Sequence, residues 1–261
     1  MSVPEPLRDQ LPRDLGELTK GAPWEEVLTG WSGVRVFRIP DCGYLKVASD
    51  HLDLRPERDR LAWLRRQLPV PELVYYAETG TQQWMLISEI PGIPSFHEAL
   101  WNHTGQVVTL LAEGLRTIHS LDMAACPFDQ RLDVLLEAAR LHMVQGRVEE
   151  NEFDPQRRGC PVEELYGELL AQRPAEEALV FTHGDYCLPN VLIDPQTRTV
   201  TGFVDWGGAG LSDPYHDLAL AARSIAFNLG DQWVPPFFEA YGIDEIDYAR
   251  VEYYQLLDEF F

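Results

Sequence analysis

The chain has 261 residues, 45% of them hydrophobic and 24% charged, a composition that excludes a disordered polymer and can bury a substantial core. Its 21 lysines and arginines face 42 aspartates and glutamates, a formal net charge of −21; this excludes the basic footprint of a nucleic-acid partner and favours a polycationic ligand, although it also fits a merely solubilising surface. No apolar run approaches the roughly 18 residues of a membrane span, residues 1–16 are polar and proline-bearing and not signal-like, and Cys42, Cys126, Cys160 and Cys187 lack metal-ligand spacing, so the expected setting is cytoplasmic, with reduced thiols and no membrane partner.

Residues 24–39 alternate polar and apolar around Thr29-Gly30-Trp31-Ser32-Gly33, which predicts two strands and a glycine-containing turn. Such a turn either places backbone N–H groups and the Ser32 hydroxyl over phosphates or is a plain hairpin connection. In Gly43-Tyr44-Leu45-Lys46-Val47, a short apolar strand carries Lys46, either a phosphate-gripping lysine or a surface lysine on an edge strand. Leu61, Leu64 and Leu68 recur at helical spacing over 56–68, with Pro56 suited to a first turn. Glu57 lies in that turn, eleven residues after Lys46, and is read either as its ion-pair partner or as an acid favoured by the helix dipole. Pro69 and Pro71 end the helix, and strands over 73–77 and 84–90 complete a small antiparallel sheet. After Ser88-Glu89-Ile90-Pro91-Gly92 the pattern turns helical, which predicts a hinge between a unit over 1–90 and a unit over 91–261. An adenine ring at that hinge would meet backbone groups near Ser88 and Ile90 and the ring of Tyr44.

Helices are expected over 107–119 and 131–145, with His119 and His142 assigned to packing or surfaces. The acidic segment 148–155 is either a solvated loop or, with Asp258 and Glu259, a cradle for several ammonium groups. A helix over 162–170 leads to an apolar run at 178–181, then His183-Gly184-Asp185, Pro189, Asn190 and a second apolar run at 191–193. This arrangement reads as a hairpin whose loop is polar. A strand over 200–204 ends on Asp205-Trp206-Gly207; helices follow over 218–228, 232–241 and 247–257, with Asp213 and Asp217 expected to brace the loops by capping and hydrogen bonds.

Asp185, Asn190 five residues later and Asp205 form a set suited to phosphoryl transfer: one carboxylate orients an attacking hydroxyl and takes its proton, while an amide oxygen and a second carboxylate hold Mg²⁺. Protein kinases keep the same five-residue offset after His-Arg-Asp and carry Asp-Phe-Gly where this chain has Asp205-Trp206-Gly207.

In this order Lys46, Glu57, the His183-to-Asn190 loop and Asp205-Trp206-Gly207 resemble the aminoglycoside phosphotransferase family of kinase-like enzymes. The ending Tyr254-Gln255-Leu256-Leu257-Asp258-Glu259-Phe260-Phe261 is similar to that of its 3′-phosphotransferases, the kanamycin and neomycin kinases that confer resistance. The resemblance implies an α+β, two-lobed protein-kinase-like fold, with a small antiparallel-sheet N-lobe over 1–90 that binds the nucleotide and a mainly helical C-lobe over 91–261 that is catalytic and binds the substrate. It implies Asp185 as catalytic base, Asn190 and Asp205 as Mg²⁺ ligands, Lys46 on the phosphates of ATP (or GTP) braced by Glu57, and Ser32 touching a phosphate. It further implies that Glu152, Asp154, Asp258, Glu259 and the terminal carboxylate of Phe261 line the amines of the antibiotic, with Arg223 nearby. Two departures, Gly207-Gly208-Ala209-Gly210 and Ser224 after Arg223, lie close to this site. A metabolic kinase of an amino alcohol or amino sugar and a non-catalytic kinase-like binding module are the alternatives.

Overall fold

A computed structural model of the chain describes residues 4–28, 33–49 and 52–261. The turn at 29–32, and with it Ser32, lies outside the described residues. Two compact units emerge: Met1–Gly92 joined by Thr201–Gly207, and Ile93–Val200 with Gly208–Phe261. The division falls after Gly92, two residues past the expected hinge, and a short later segment returns to the first unit.

The first unit opens with α1 (Glu5–Arg8) and α2 (Arg13–Leu18), which the polar N-terminus does not announce. Their signal is the four-residue spacing of Leu7, Leu11 and Leu15, all of which join the sheet's core. β1 (Glu25–Val27), β2 (Arg35–Ile39) and β3 (Gly43–Ser49) precede α3 (Arg55–Leu64), and β4 (Leu73–Thr79) and β5 (Gln82–Ile87) follow it. The strands form one antiparallel sheet in the order β1-β2-β3-β5-β4. Phe37, Ile39, Leu45, Val47, Trp84 and Leu86 fill the core together with Leu7, Leu15 and Trp24. Because side chains alternate along a strand, Lys46, between Leu45 and Val47, emerges on the opposite face.

Pro56 sits in the first turn of α3, and Asp53 Oδ1 accepts from the Arg55 amide at 3.0 Å. The helix ends at Leu64, short of the predicted Leu68; the chain continues in a turn, the Gln67 and Leu68 amides both donating to the Leu64 carbonyl, at 2.7 and 3.1 Å, and Pro69 follows. β5 likewise stops at Ile87: the Ser88 amide donates to the Glu72 carbonyl and the Ser88 hydroxyl accepts from the Glu72 amide, both at 2.9 Å.

The second unit is mainly helical. β6 (Ile93–Pro94) leads to α4 (Thr104–His119), α5 (Leu132–Val144) and α6 (Val162–Ala171); β7 (Val180–Thr182), β8 (Val191–Asp194), β9 (Thr199–Phe203) and β10 (Gly210–Ser212) follow, and α7 (Pro214–Leu229), α8 (Val234–Tyr241) and α9 (Tyr248–Asp258) close the chain. The apolar stripe of α4, including Val107, Val108, Leu111, Leu115 and Ile118, is buried, with α8 packed on α4 and α9 on α7. Chain passes back to the first unit within β9. Among the described residues no helix is long and apolar enough to cross a membrane.

One expectation is corrected. β7 does not pair with β8 across a hairpin; it pairs antiparallel with β10, Thr182 opposite Gly210, while β8 pairs with β6, Ile193 opposite Ile93. Residues 183–190 therefore connect two sheets. Their backbone polar groups are met by α7 and by Ser95, not by a partner strand, and a 3₁₀ turn at Leu188–Asn190 completes the passage.

Candidate active site

In the first unit Lys46 reaches from the face of β3 opposite the core to the first turn of α3. Its Nζ donates to both Glu57 oxygens, at 2.7 and 2.8 Å, and also pairs with Asp205. Burial alone would pull the Lys46 ammonium down, but the charges of Asp205 and Glu57 more than offset that, and its pKa stands above the ordinary lysine value. Glu57, equally buried, moves upward through desolvation, with Lys46 opposing. Asp205 follows β9 with φ 63°, a left-handed conformation that non-glycine residues seldom adopt. Three charges on three separate elements thus meet, two negative and one positive.

In the second unit the loop after β7 is held from below. Asp217, on α7 and without solvent exposure, accepts from the His183 amide at 2.7 Å and from the Gly184 amide at 2.8 Å. His119 Nε2 reaches the same carboxylate at 3.0 Å, and its Nδ1 meets the Tyr241 hydroxyl at 2.7 Å. Burial pushes the Asp217 carboxyl up, but the hydrogen bond and charge of His119, with His183 and His216, bring it below the ordinary aspartate value. Gly184 has φ 81°, and a Cβ there would lie 2.1 Å from the Gly208 carbonyl oxygen, so only glycine fits this turn.

From this support Asp185 projects with one carboxylate oxygen fixed: Asn190 Nδ2 donates to Asp185 Oδ2 at 2.8 Å and to the Asp185 carbonyl at 3.0 Å. With its NH₂ group turned inward, Asn190 keeps Oδ1 as its acceptor. That oxygen and the Asp205 carboxylate are hard donors of the type Mg²⁺ takes. Asn190 and Asp185 lie in the second unit and Asp205 in the first.

The acids expected near a substrate form a second cluster in the same unit as Asp185. Asp154, Asp258 and Glu259 gather around Arg223 and Arg157: Arg157 lies 3.1 Å from Asp154 and 3.0 Å from Glu259 and also pairs with Glu252, while Arg223 is 3.6 Å from Asp154 and pairs with Asp258. The Glu259 oxygens also accept from the Asp154 amide at 3.2 and 3.3 Å; burial, then the charge of Asp154, moves Glu259 upward. Glu152 is exposed, outside this network. Phe260 is buried, with its carbonyl accepting at 2.8 Å from His142, whose ring packs edge-on against an exposed Phe261 at 5.2 Å.

The Lys46–Glu57 ion pair and the bracing by Asp217 that the sequence suggested are both present, and Asn190 meets Asp185 directly. Sequence reasoning assigned His119 to packing or a surface and did not read Arg157, which lies just beyond the acidic segment 148–155; its three-residue spacing from Asp154 was the available signal. Tyr44 stands on β3 opposite Ile87, beside the β5 end that leads to Ser88 and Ile90, but the Ser88 amide and hydroxyl are both engaged by Glu72.

Residues 24–254 match a family described as phosphotransferase enzyme family. The chain is 40% identical to an aminoglycoside 3′-phosphotransferase of Niallia circulans over 243 residues, 89% of this chain and 90% of that one. Its fold is similar to the crystal structure of an aminoglycoside-3′-phosphotransferase of type VIII, with TM-score 0.83, 33% identity, and 98% and 97% of the two chains covered. It also resembles an aminoglycoside phosphotransferase of Streptomyces rimosus determined with ADP and streptomycin, with TM-score 0.77, 31% identity, and 91% and 92% covered. Matched in sequence and fold along most of its length, the chain belongs to the aminoglycoside phosphotransferase family.

Proposed function

We propose that this phosphotransferase moves the γ-phosphate of ATP to the 3′-hydroxyl of a kanamycin-like aminoglycoside, and so confers resistance. The observation that carries the reading is the lock between Asn190 and Asp185. With Oδ2 held at 2.8 Å by the amide, the carboxylate keeps one orientation, as a group must that aligns a hydroxyl and takes its proton during transfer. Lys46, steered by Glu57, grips the phosphates from the first unit. Asn190 Oδ1 and Asp205 would hold Mg²⁺, which when bound neutralises charge on the phosphates. Asp205 would have to leave its pairing with Lys46 to serve in this way, and the nucleotide's own phosphates would complete the donor set.

Asp154 and Asp258, partly accessible, would receive ammonium groups of the substrate, and Glu259 would support them from behind. The relatives' names support the substrate class: the Niallia circulans protein is an aminoglycoside 3′-phosphotransferase. The S. rimosus protein, solved with ADP and streptomycin, bears on the nucleotide as well as the antibiotic class.

The test is nucleotide turnover across aminoglycosides that possess or lack a 3′-hydroxyl. Turnover is expected only with the former; equal turnover with both removes the 3′ assignment. Asp185→Asn should lower kcat by about 10²–10⁴-fold with binding of both substrates retained, measured by single-turnover kinetics and calorimetry.

A further inference from the structure

Leu188 lies between Asp185 and Asn190, and serines reach both polar groups of its backbone, the carbonyl being shared with the Val191 amide that closes the 3₁₀ turn. Its amide donates to Ser224 Oγ at 3.0 Å. Its carbonyl accepts from Ser95 Oγ at 2.8 Å and from the Ser95 amide at 3.3 Å. Leu188 and Ser95 are each only 1% exposed, so water does not replace either partner freely. Ser224 is in turn touched by Asn228, whose Nδ2 donates to the Ser224 carbonyl at 2.8 Å and lies 3.4 Å from Oγ.

Leu188 opens the 3₁₀ turn that ends on Asn190, with Pro189 between them. A proline ring fixes φ near −65°, so little torsional freedom separates the clamped residue from Asn190. The other end of the loop is held by Asp217 through the His183 and Gly184 amides. Asp217 and Ser224 are seven residues apart on α7, two turns and about 10.5 Å along one helical face. One face of α7 therefore grips the loop at both ends, and Ser95 closes the clamp from the opposite side of the Leu188 backbone.

We infer that Ser224, assisted by Ser95, is a positioning residue that sets the place of the Asn190 amide oxygen, and through it the affinity for a metal–nucleotide. This rests on the reading of Asn190 as a metal ligand. A hydroxyl suits the task because it accepts from the Leu188 amide without adding a negative charge beside the site. Neither serine touches substrate on this account; both act through the Leu188 backbone.

The experiment measures binding of Mn²⁺ with a non-hydrolysable ATP analogue to the full chain, by electron paramagnetic resonance and without turnover. Ser224→Ala should weaken Mn²⁺–nucleotide binding by about tenfold, and Ser95→Ala by a smaller, measurable factor because the Leu188 carbonyl keeps the Ser95 and Val191 amides, with the KM for the aminoglycoside unchanged in both, while Ser224→Thr, which keeps the acceptor, should bind like the wild type. Wild-type binding of Mn²⁺–nucleotide by both folded alanine variants overturns the inference, as does an equal loss of metal and aminoglycoside binding. If Ser224→Ala does not fold, Ser95→Ala and Ser224→Thr decide by the same criteria. A wild-type chain that binds no Mn²⁺–nucleotide instead overturns the metal reading, and the role of the clamp with it.

Discussion

Asp217 never meets solvent, yet its two oxygens satisfy two backbone amides and a histidine. Replacing it by asparagine leaves one acceptor oxygen for three donors and turns an NH₂ group toward one of them. Leaving a buried donor unsatisfied costs about 1–3 kcal/mol, and Asp217→Asn should lose at least that in urea unfolding, with a fall in kcat as the Asp185 loop loosens. The pH dependence follows from the direction of its shift. A carboxyl held below its unfolded value contributes stability that is present above about pH 4 and lost as pH falls through the lower folded value. The wild type should therefore lose stability on the acid side more steeply than Asp217→Asn, measured by unfolding at a series of pH values between about 3 and 6. At this scale the sequence was legible where chemistry imposes an offset, as between Asp185 and Asn190 or Lys46 and Glu57. It was silent at His119, which reaches Asp217 across 98 positions with no local pattern to mark it.

Elements were read well where a single periodicity governs them, and poorly where pairing decides. The stripe of α4 and the alternation in β3 are visible in the residues because each buries one face. The relation of β7 to β8 is not, since two apolar runs around a polar turn look alike whether they pair with each other or with β10 and β6. Short α1 and α2 were lost for a different reason: four and six residues carry too few repeats to outweigh their prolines. The turn at Gly184 gives a direct test of the crossover. Gly184→Ala must place a Cβ against the Gly208 backbone at a positive φ, and should cost roughly 1–3 kcal/mol from the conformation alone, more with the clash. An alanine variant with wild-type activity and unfolding midpoint would mean that the loop does not take this path.

Over the whole molecule, composition excluded a disordered chain and charge favoured a polycationic ligand, the class of fold came from the family resemblance, and none of these could give the internal neutralisation of the acids. Two arginines sit among Asp154, Glu252, Asp258 and Glu259, so the cluster offers a cation less than its count of carboxylates suggests. What remains long-ranged is the formal charge of −21. Such a field is screened over about 10 Å at 0.1 M salt. The KM for a polycationic aminoglycoside should accordingly rise several-fold, roughly three- to tenfold, between 0.05 and 0.5 M NaCl, while that for the anionic nucleotide should not rise in parallel. Steady-state kinetics at fixed pH checks it; an aminoglycoside KM independent of salt would assign binding to short-range contacts alone.

α7 carries Arg223 and Ser224 side by side, one paired with Asp154 and Asp258 in the acid cluster, the other hydrogen-bonded to the loop between Asp185 and Asn190. Successive positions on a helix point about 100° apart, so one rigid element serves both contacts without tying them to each other. If the acid cluster receives the substrate, a change at Arg223 would alter the range of amines accepted while the Ser224 contact, and the loop that it holds, stays in place. Range and rate could then evolve one substitution at a time along this helix.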